Sequence, residues 1–218
     1  MNKDWSELNK TMQLLLKKEE SLHAGIKTLV DLRNQLMDVL LSFKKDLKRA
    51  DFDAIPFMNA SGYHCKTIGY SIWHIFRIED IVAHTLIAGD DQIFFTGNYQ
   101  RRIHSPIITT GNELVKQQIA DFSRQLDLDE LYAYITNVKR STETIVNHLP
   151  YDMLRWKAPK ERKERLKSLQ VVSTDERASW LIDYWCGKDI RGLIQMPFSR
   201  HWIMHIEACL KIKNRLYP

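Results

Sequence analysis

The apolar residues of this chain recur at steps of three and four. Leu29, Leu32, Leu36, Leu40, Phe43 and Leu47 form one such series, and a period near 3.6 puts them on one face of an α-helix. The spacing returns in later segments, and no run alternates with the period of two that a half-buried strand requires. Only eight Gly and six Pro interrupt 218 residues, so long helices have room to form. An all-α protein is predicted, in which the helices bury their stripes against one another.

Leu8, Met12 and Leu15 predict a helix before this series or an extension of it, with Gly25 at the break. Asp51 to Gly62 reads as loop around Pro56. The next helix is expected from about Cys65 to Ala88. Its two stripes, Ile68-Ile72-Ile75-Val82 and His74-Ile78-Ile81, predict burial on several sides. Residues 92–111 are irregular. Thr110 and Glu113 have capping-box spacing, which predicts a helix start there, continued by Leu114, Ile119, Phe122 and Leu126. Leu131 to Leu149 carry a helix up to Pro150, after a kink at Asp127 to Asp129. The run "KAPKERKERLKSLQ" interleaves its charges and reads as a solvated loop or short surface helix. Ser173 and Glu176 are a second capping box, opening a short helix through Trp180, Leu181, Tyr184 and Trp185. Pro197 precedes the last helix. The economical solution is a four-helix bundle with an N-terminal extension and a small helical insertion before the last helix, one domain over 1–218.

The formal charge is +5. Its Lys, Arg, Asp and Glu are interleaved, so the clustered basic footprint of a nucleic-acid binder is missing. No stretch approaches a membrane span, and "MNKDWSELNK" lacks the apolar segment of a signal peptide. Cys65, Cys186 and Cys209 are three and widely separated. A reduced, cytoplasmic protein with no intrachain disulfide is expected.

The last helix, "SRHWIMHIEACLKIKNRL", carries His201 and His205 four residues apart. That spacing lets two imidazoles converge on one point, a common way of supplying two ligands to a metal. A pair alone is equally a pair of hydrogen-bonded core histidines. Among the other His, His74 stands out, mid-helix in "GYSIWHIFRIED" beside Trp73, Ile75 and Phe76. Buried there, it needs partners for its ring nitrogens. A metal shared with His201 and His205 would be one; a carboxylate in an apolar core would be another.

"GYSIWHIFRIED", followed far downstream by "GLIQMPFSRHWIMHIEACLKI", resembles the DinB-like superfamily, also called YfiT-like metal-dependent hydrolases. The resemblance spans roughly residues 26 to 216 and is specific in those two segments. It implies an up-down-down-up four-helix bundle and metal ligands at His74, His201 and His205. A divalent ion, zinc or nickel, and a homodimer are also implied. Some members of that family are S-transferases using low-molecular-weight thiols. This chain departs from compact members before about residue 26 and between Pro150 and Pro197, so no substrate is carried over.

Three neutral His leave one coordination position open on a tetrahedral metal, as in catalytic rather than structural zinc sites. Such an ion activates a water or binds a thiolate. Glu79, Asp80, Asp183 and Glu207 are candidate bases or outer-shell acceptors, each equally a salt-bridging carboxylate. Arg77 and Arg200 could orient an anionic substrate, and Cys209 lies near the face of His205. Two classes of function stay open. One is a metal-dependent hydrolase or thiol transferase acting on a small molecule. The other is a non-catalytic metal- or ligand-binding bundle.

Overall fold

The computed structural model describes residues 2–218. Its longer helices are α1 (Lys3–Leu15), α2 (Leu22–Asp46) and α3 (Ile68–Asp80). After the short turns α4 (Ile93–Thr96) and α5 (Tyr99–Arg102) come α6 (Gln117–Gln125) and α7 (Leu128–Asn147). Then follow α8 (Lys160–Ser168), α9 (Glu176–Gly187), α10 (Ile190–Gln195) and α11 (His201–Leu216). Among the described residues no strand forms; the β-type contact is an isolated antiparallel bridge between Lys157 and Asp189. The expected all-α class is what the chain adopts. No described helix is long and apolar enough to cross a membrane.

Several boundaries differ from those expected. The break between α1 and α2 falls at residues 16–21, not at Gly25, which sits inside α2. A Cβ on Gly25 would come within 2.9 Å of Leu16 Cδ2, so this glycine permits α1 to fold back closely along α2. No helix starts at Thr110. The Thr109 hydroxyl donates to Glu113 instead, and α6 begins at Gln117. The expected kink near Asp127 is a true break, because the Asp127 carboxylate caps α7 by accepting the Glu130 N–H at 3.1 Å. Asp175, not Ser173, caps α9.

The charged run folds as helix α8, and it is more than a solvated surface. Arg162 donates to the carbonyls of Leu86, Ile87 and Ala88, and Arg165 donates to Gly89 O at 2.7 Å. These carbonyls belong to the segment after α3. There the helix widens into a π-helix, Ile81–Ala88, and stops at left-handed Gly89, φ 82°. Unsatisfied C-terminal carbonyls attract cations, and two arginines of the run supply them.

Every residue of α3 is buried. It packs on α6, α7 and α11, while α2 packs on α1, α7 and α11. The apolar interior divides into two clusters along α3. Ile68 to Phe76 join Leu36, Leu40, Phe43, Ile135 and Trp202. Ile78 to Ile87 join Leu29, Leu181, Trp185, Ile194 and Phe198.

A buried polar layer separates the two. Arg33 of α2 makes a two-pronged pair with Glu79 of α3, Nη1–Oε2 2.9 Å and Nη2–Oε1 2.7 Å. Its Nε donates to Glu143 of α7 at 3.0 Å, and Nη1 also donates to Phe198 O at 3.0 Å. Trp202 of α11 donates its indole N–H to Glu79 at 2.8 Å and stacks under the guanidinium. Burial alone would lower the pKa of Arg33, but Glu79 and Glu143 reverse that and raise it. One fully buried cation thus ties α2, α3, α7 and the start of α11 together.

Candidate metal centre

His74 lies midway along α3. Its Nδ1 is 2.6 Å from Thr110 O. A carbonyl only accepts, so Nδ1 carries the proton and Nε2 holds the free lone pair. The Thr110 carbonyl can approach because Gly111 follows it. That residue has φ +76°, and an added Cβ would lie 3.0 Å from both Trp73 and Tyr70. Tyr70 stacks on the His74 ring, with centroids 5.2 Å apart, and donates its hydroxyl to Gly111 O at 3.0 Å. A ring and a main-chain loop therefore fix the orientation and tautomer of His74 together.

His201 and His205 lie one turn apart at the start of α11. The helix cannot rotate freely, because the neighbouring Trp202 is bound to Glu79. The ring centroids are 5.1 Å apart for His74–His201, 4.9 Å for His74–His205 and 4.6 Å for His201–His205. All three side chains are buried, and one ligand atom from each lies within 4.8 Å of the others. A tetrahedral ion with nitrogen bonds of about 2.0–2.1 Å spaces its ligands about 3.4 Å apart. The three nitrogens are therefore within about 1.4 Å of that spacing.

The residues fit a divalent metal on two counts. Burial, chiefly, pushes the His74 pKa down to about 4 and those of His201 and His205 well below the ordinary histidine range. All three are neutral near pH 7, the form that ligates. The Nδ1 atoms of His201 and His205 are also buried without a hydrogen-bond partner, and buried polar atoms in folded proteins nearly always have one.

The three rings form one wall of a cavity of about 220 Å³. The rest of its lining is Tyr63, Ile78, Asn112, Trp180, Leu181, Tyr184, Trp185, Met196 and Pro197. Tyr63 meets His205 edge-on at 4.7 Å. Burial raises the Tyr63 pKa. The lining is mostly aromatic and apolar, and it includes no carboxylate.

The structure brings the three expected ligands, His74, His201 and His205, together and leaves every other candidate elsewhere. Glu79 is bound to Arg33 and Trp202. Asp80 accepts the N–H groups of Ile93 and Phe94 and the Tyr134 hydroxyl. Asp183 is exposed and pairs with Lys163. Glu207 accepts the Asn2 N–H. Arg77 donates to Ile108 O and lies over Phe94, and Arg200 is exposed beside a different surface groove. Cys209 is buried, its thiol pushed up to about 12 by burial, and it does not line the cavity. Sequence reasoning missed the Thr110 carbonyl and the wall drawn from α9. The Trp180-Tyr184 spacing of four was the available sign of an aromatic face. No protein-family model matches the chain, and no curated protein matches it.

Proposed function

We propose that this chain is a metal-dependent enzyme of the DinB-like type that binds one divalent ion, zinc or nickel, through His74, His201 and His205. The carrying observation is the convergence of three buried, neutral imidazoles on the wall of an aromatic cavity. Imidazole donors suit both metals. In this reading α2, α3, α7 and α11 are the four helices of an up-down-down-up bundle, with α1 and residues 151–197 as additions to it.

Held by His74, His201 and His205, a divalent ion would supply Lewis-acid chemistry toward an anionic ligand. The protein supplies the rest. Thr110 holds the His74 proton on Nδ1, and the cavity walls exclude water and grip an apolar small molecule. A hydrolase of this kind usually keeps a carboxylate base beside the metal. The lining here has none, which favours transfer of a low-molecular-weight thiol over hydrolysis.

Elemental analysis tests the reading together with a screen of thiols against activated electrophiles. One ion per chain is expected, lost in His201→Ala while the helical circular dichroism is kept. A His201→Ala protein that keeps its ion would remove His201 from the site. Loss of helicity would make the ion structural and favour the non-catalytic alternative.

A further inference from the structure

His84 sits in the π-helical stretch Ile81–Ala88, ten residues beyond His74, and takes no part in the three-His centre. Its Nδ1 lies 2.7 Å from Asp90 Oδ1, and its Nε2 lies 3.0 Å from Ser141 Oγ on α7. The carboxylate can only accept, so Nδ1 carries the proton. Nε2 is then bare, and the Ser141 hydroxyl donates to it. Serine, imidazole and carboxylate stand in the order and at the distances of a nucleophile, its base and the group that orients the base.

The arrangement is held from several sides. The Gly89 and Asp90 N–H groups both bond to His84 O, at 2.7 and 3.1 Å, so the turn carrying Asp90 is fastened to the histidine's own backbone. Arg165 fastens the same turn through Gly89 O and Asp91. Buried Asp80 lies 3.9 Å from His84 Nε2, on the far side of the ring from Asp90. π-Helical turns recur at functional sites, where they displace a side chain from the regular helical register. Ser141 opens onto a groove of about 500 Å³ that also includes Thr96, Arg102, Asn137 and Arg140.

We propose that Ser141, His84 and Asp90 form a second reactive site, separate from the metal centre, that takes the acyl group of a small ester. Ser141 Oγ attacks the ester carbonyl as its proton passes to His84 Nε2. The carbon–oxygen bond to the alcohol breaks, and the alcohol leaves with that proton. Water, deprotonated by the same nitrogen, then releases the acid and restores the serine. The N–H of Ser141 is within α7, so the charge on the carbonyl oxygen falls to side chains of the groove. Arg140 commits one of its five N–H groups, to Asn137 Oδ1, and has others to offer. Arg102 is paired with Glu130, so the Arg140 charge is the one that suits an ester whose acyl group carries a negative charge.

The test is labelling of the purified protein by an alkyl fluorophosphonate, which bonds to an activated serine with loss of fluoride and is read by intact mass and peptide mapping. One adduct on Ser141 is expected, formed equally with and without a chelator that strips the metal centre. Ser141→Ala removes it with metal content unchanged. Asp90 is exposed, so Asp90→Asn keeps the fold; as the positioning residue, it should lower the maximal labelling rate about tenfold or more at unchanged probe affinity, and Asp90→Glu should restore part of it. No adduct on the wild type, an adduct on another residue, or a rate indifferent to Asp90→Asn would each overturn the proposal and reduce the three residues to a tie between the α3 extension and α7. A chelator that abolishes labelling would also overturn it, by making the serine depend on the metal centre.

Discussion

Glu79→Leu removes one partner of the buried ion pair at little cost in side-chain volume. The wild-type carboxylate accepts three bonds, two from Arg33 and one from Trp202. The substitution leaves the fully buried guanidinium with Phe198 O and the partly solvated Glu143, and it orphans the indole N–H. Breaking a buried pair from one side costs about 3–5 kcal/mol, and an unsatisfied buried N–H adds about 1–3 kcal/mol. These terms overlap, so a loss of about 4–6 kcal/mol is expected. For a chain of this length each kcal/mol moves Tm by about 2–4 °C, so the drop is about 8–24 °C. Urea unfolding followed by circular dichroism measures the first figure and a thermal scan the second. The paired control is Arg33→Met with Glu79→Leu, which removes both charges; it should cost less than Glu79→Leu alone, because the uncompensated cation is gone. A single variant within about 1 kcal/mol of wild type, against the expected loss of about 4–6, would refute the reasoning. So would a double variant less stable than the single one.

Gly111→Ala places a Cβ against Trp73 and Tyr70 at a left-handed φ. It should destabilise the chain by about 1–3 kcal/mol and weaken metal binding, measured by competition with a chromogenic chelator, because the Thr110 carbonyl retreats from His74. The metal-free protein should lose stability in acid. With His74 held near 4 by burial and the other two also well below the ordinary histidine range, the unfolded chain takes up protons that the folded chain refuses. That stability is complete above about pH 6.5 and is lost as pH falls towards 4; urea midpoints flat across this window would contradict it. Cys65 and Cys186 are partly accessible, whereas Cys209 is buried with its thiol pushed up to about 12. Iodoacetamide should therefore modify the first two in the native protein and Cys209 only after denaturation.

The three-His cluster was legible because helical geometry is stiff. The four-residue step from His201 to His205 fixes their relation, and an imidazole in the middle of an apolar helix demands a partner. The partner that orients His74 was not legible, since a main-chain carbonyl from an irregular loop leaves no side-chain signature. Arg33 and Glu79 look like ordinary helix-surface charges. The available sign was phase: Arg33 falls four after Leu29 and three before Leu36, within the apolar stripe. The Thr110 and Glu113 spacing misled because the local hydrogen bond went from Thr109 to Glu113, and a cap signature competes with such bonds at neighbouring positions. The charged run was legible as a short surface helix, but interleaved signs say nothing about which arginines find helix-terminal carbonyls.

The division of the interior into two apolar clusters has a consequence for how the cavity beside the three histidines is entered. Ile78, Leu181 and Trp185, which wall the cavity, belong to one cluster. Trp73, Phe76, Trp202 and Ile206, which hold the helices bearing the three histidines, belong to the other. Proteins open locally in cooperative units, and such units follow packing boundaries. A fluctuation that loosens the first cluster parts the cavity wall while the imidazoles keep their places. Entry then needs no hinge: a loosening confined to the first cluster is enough to open the wall.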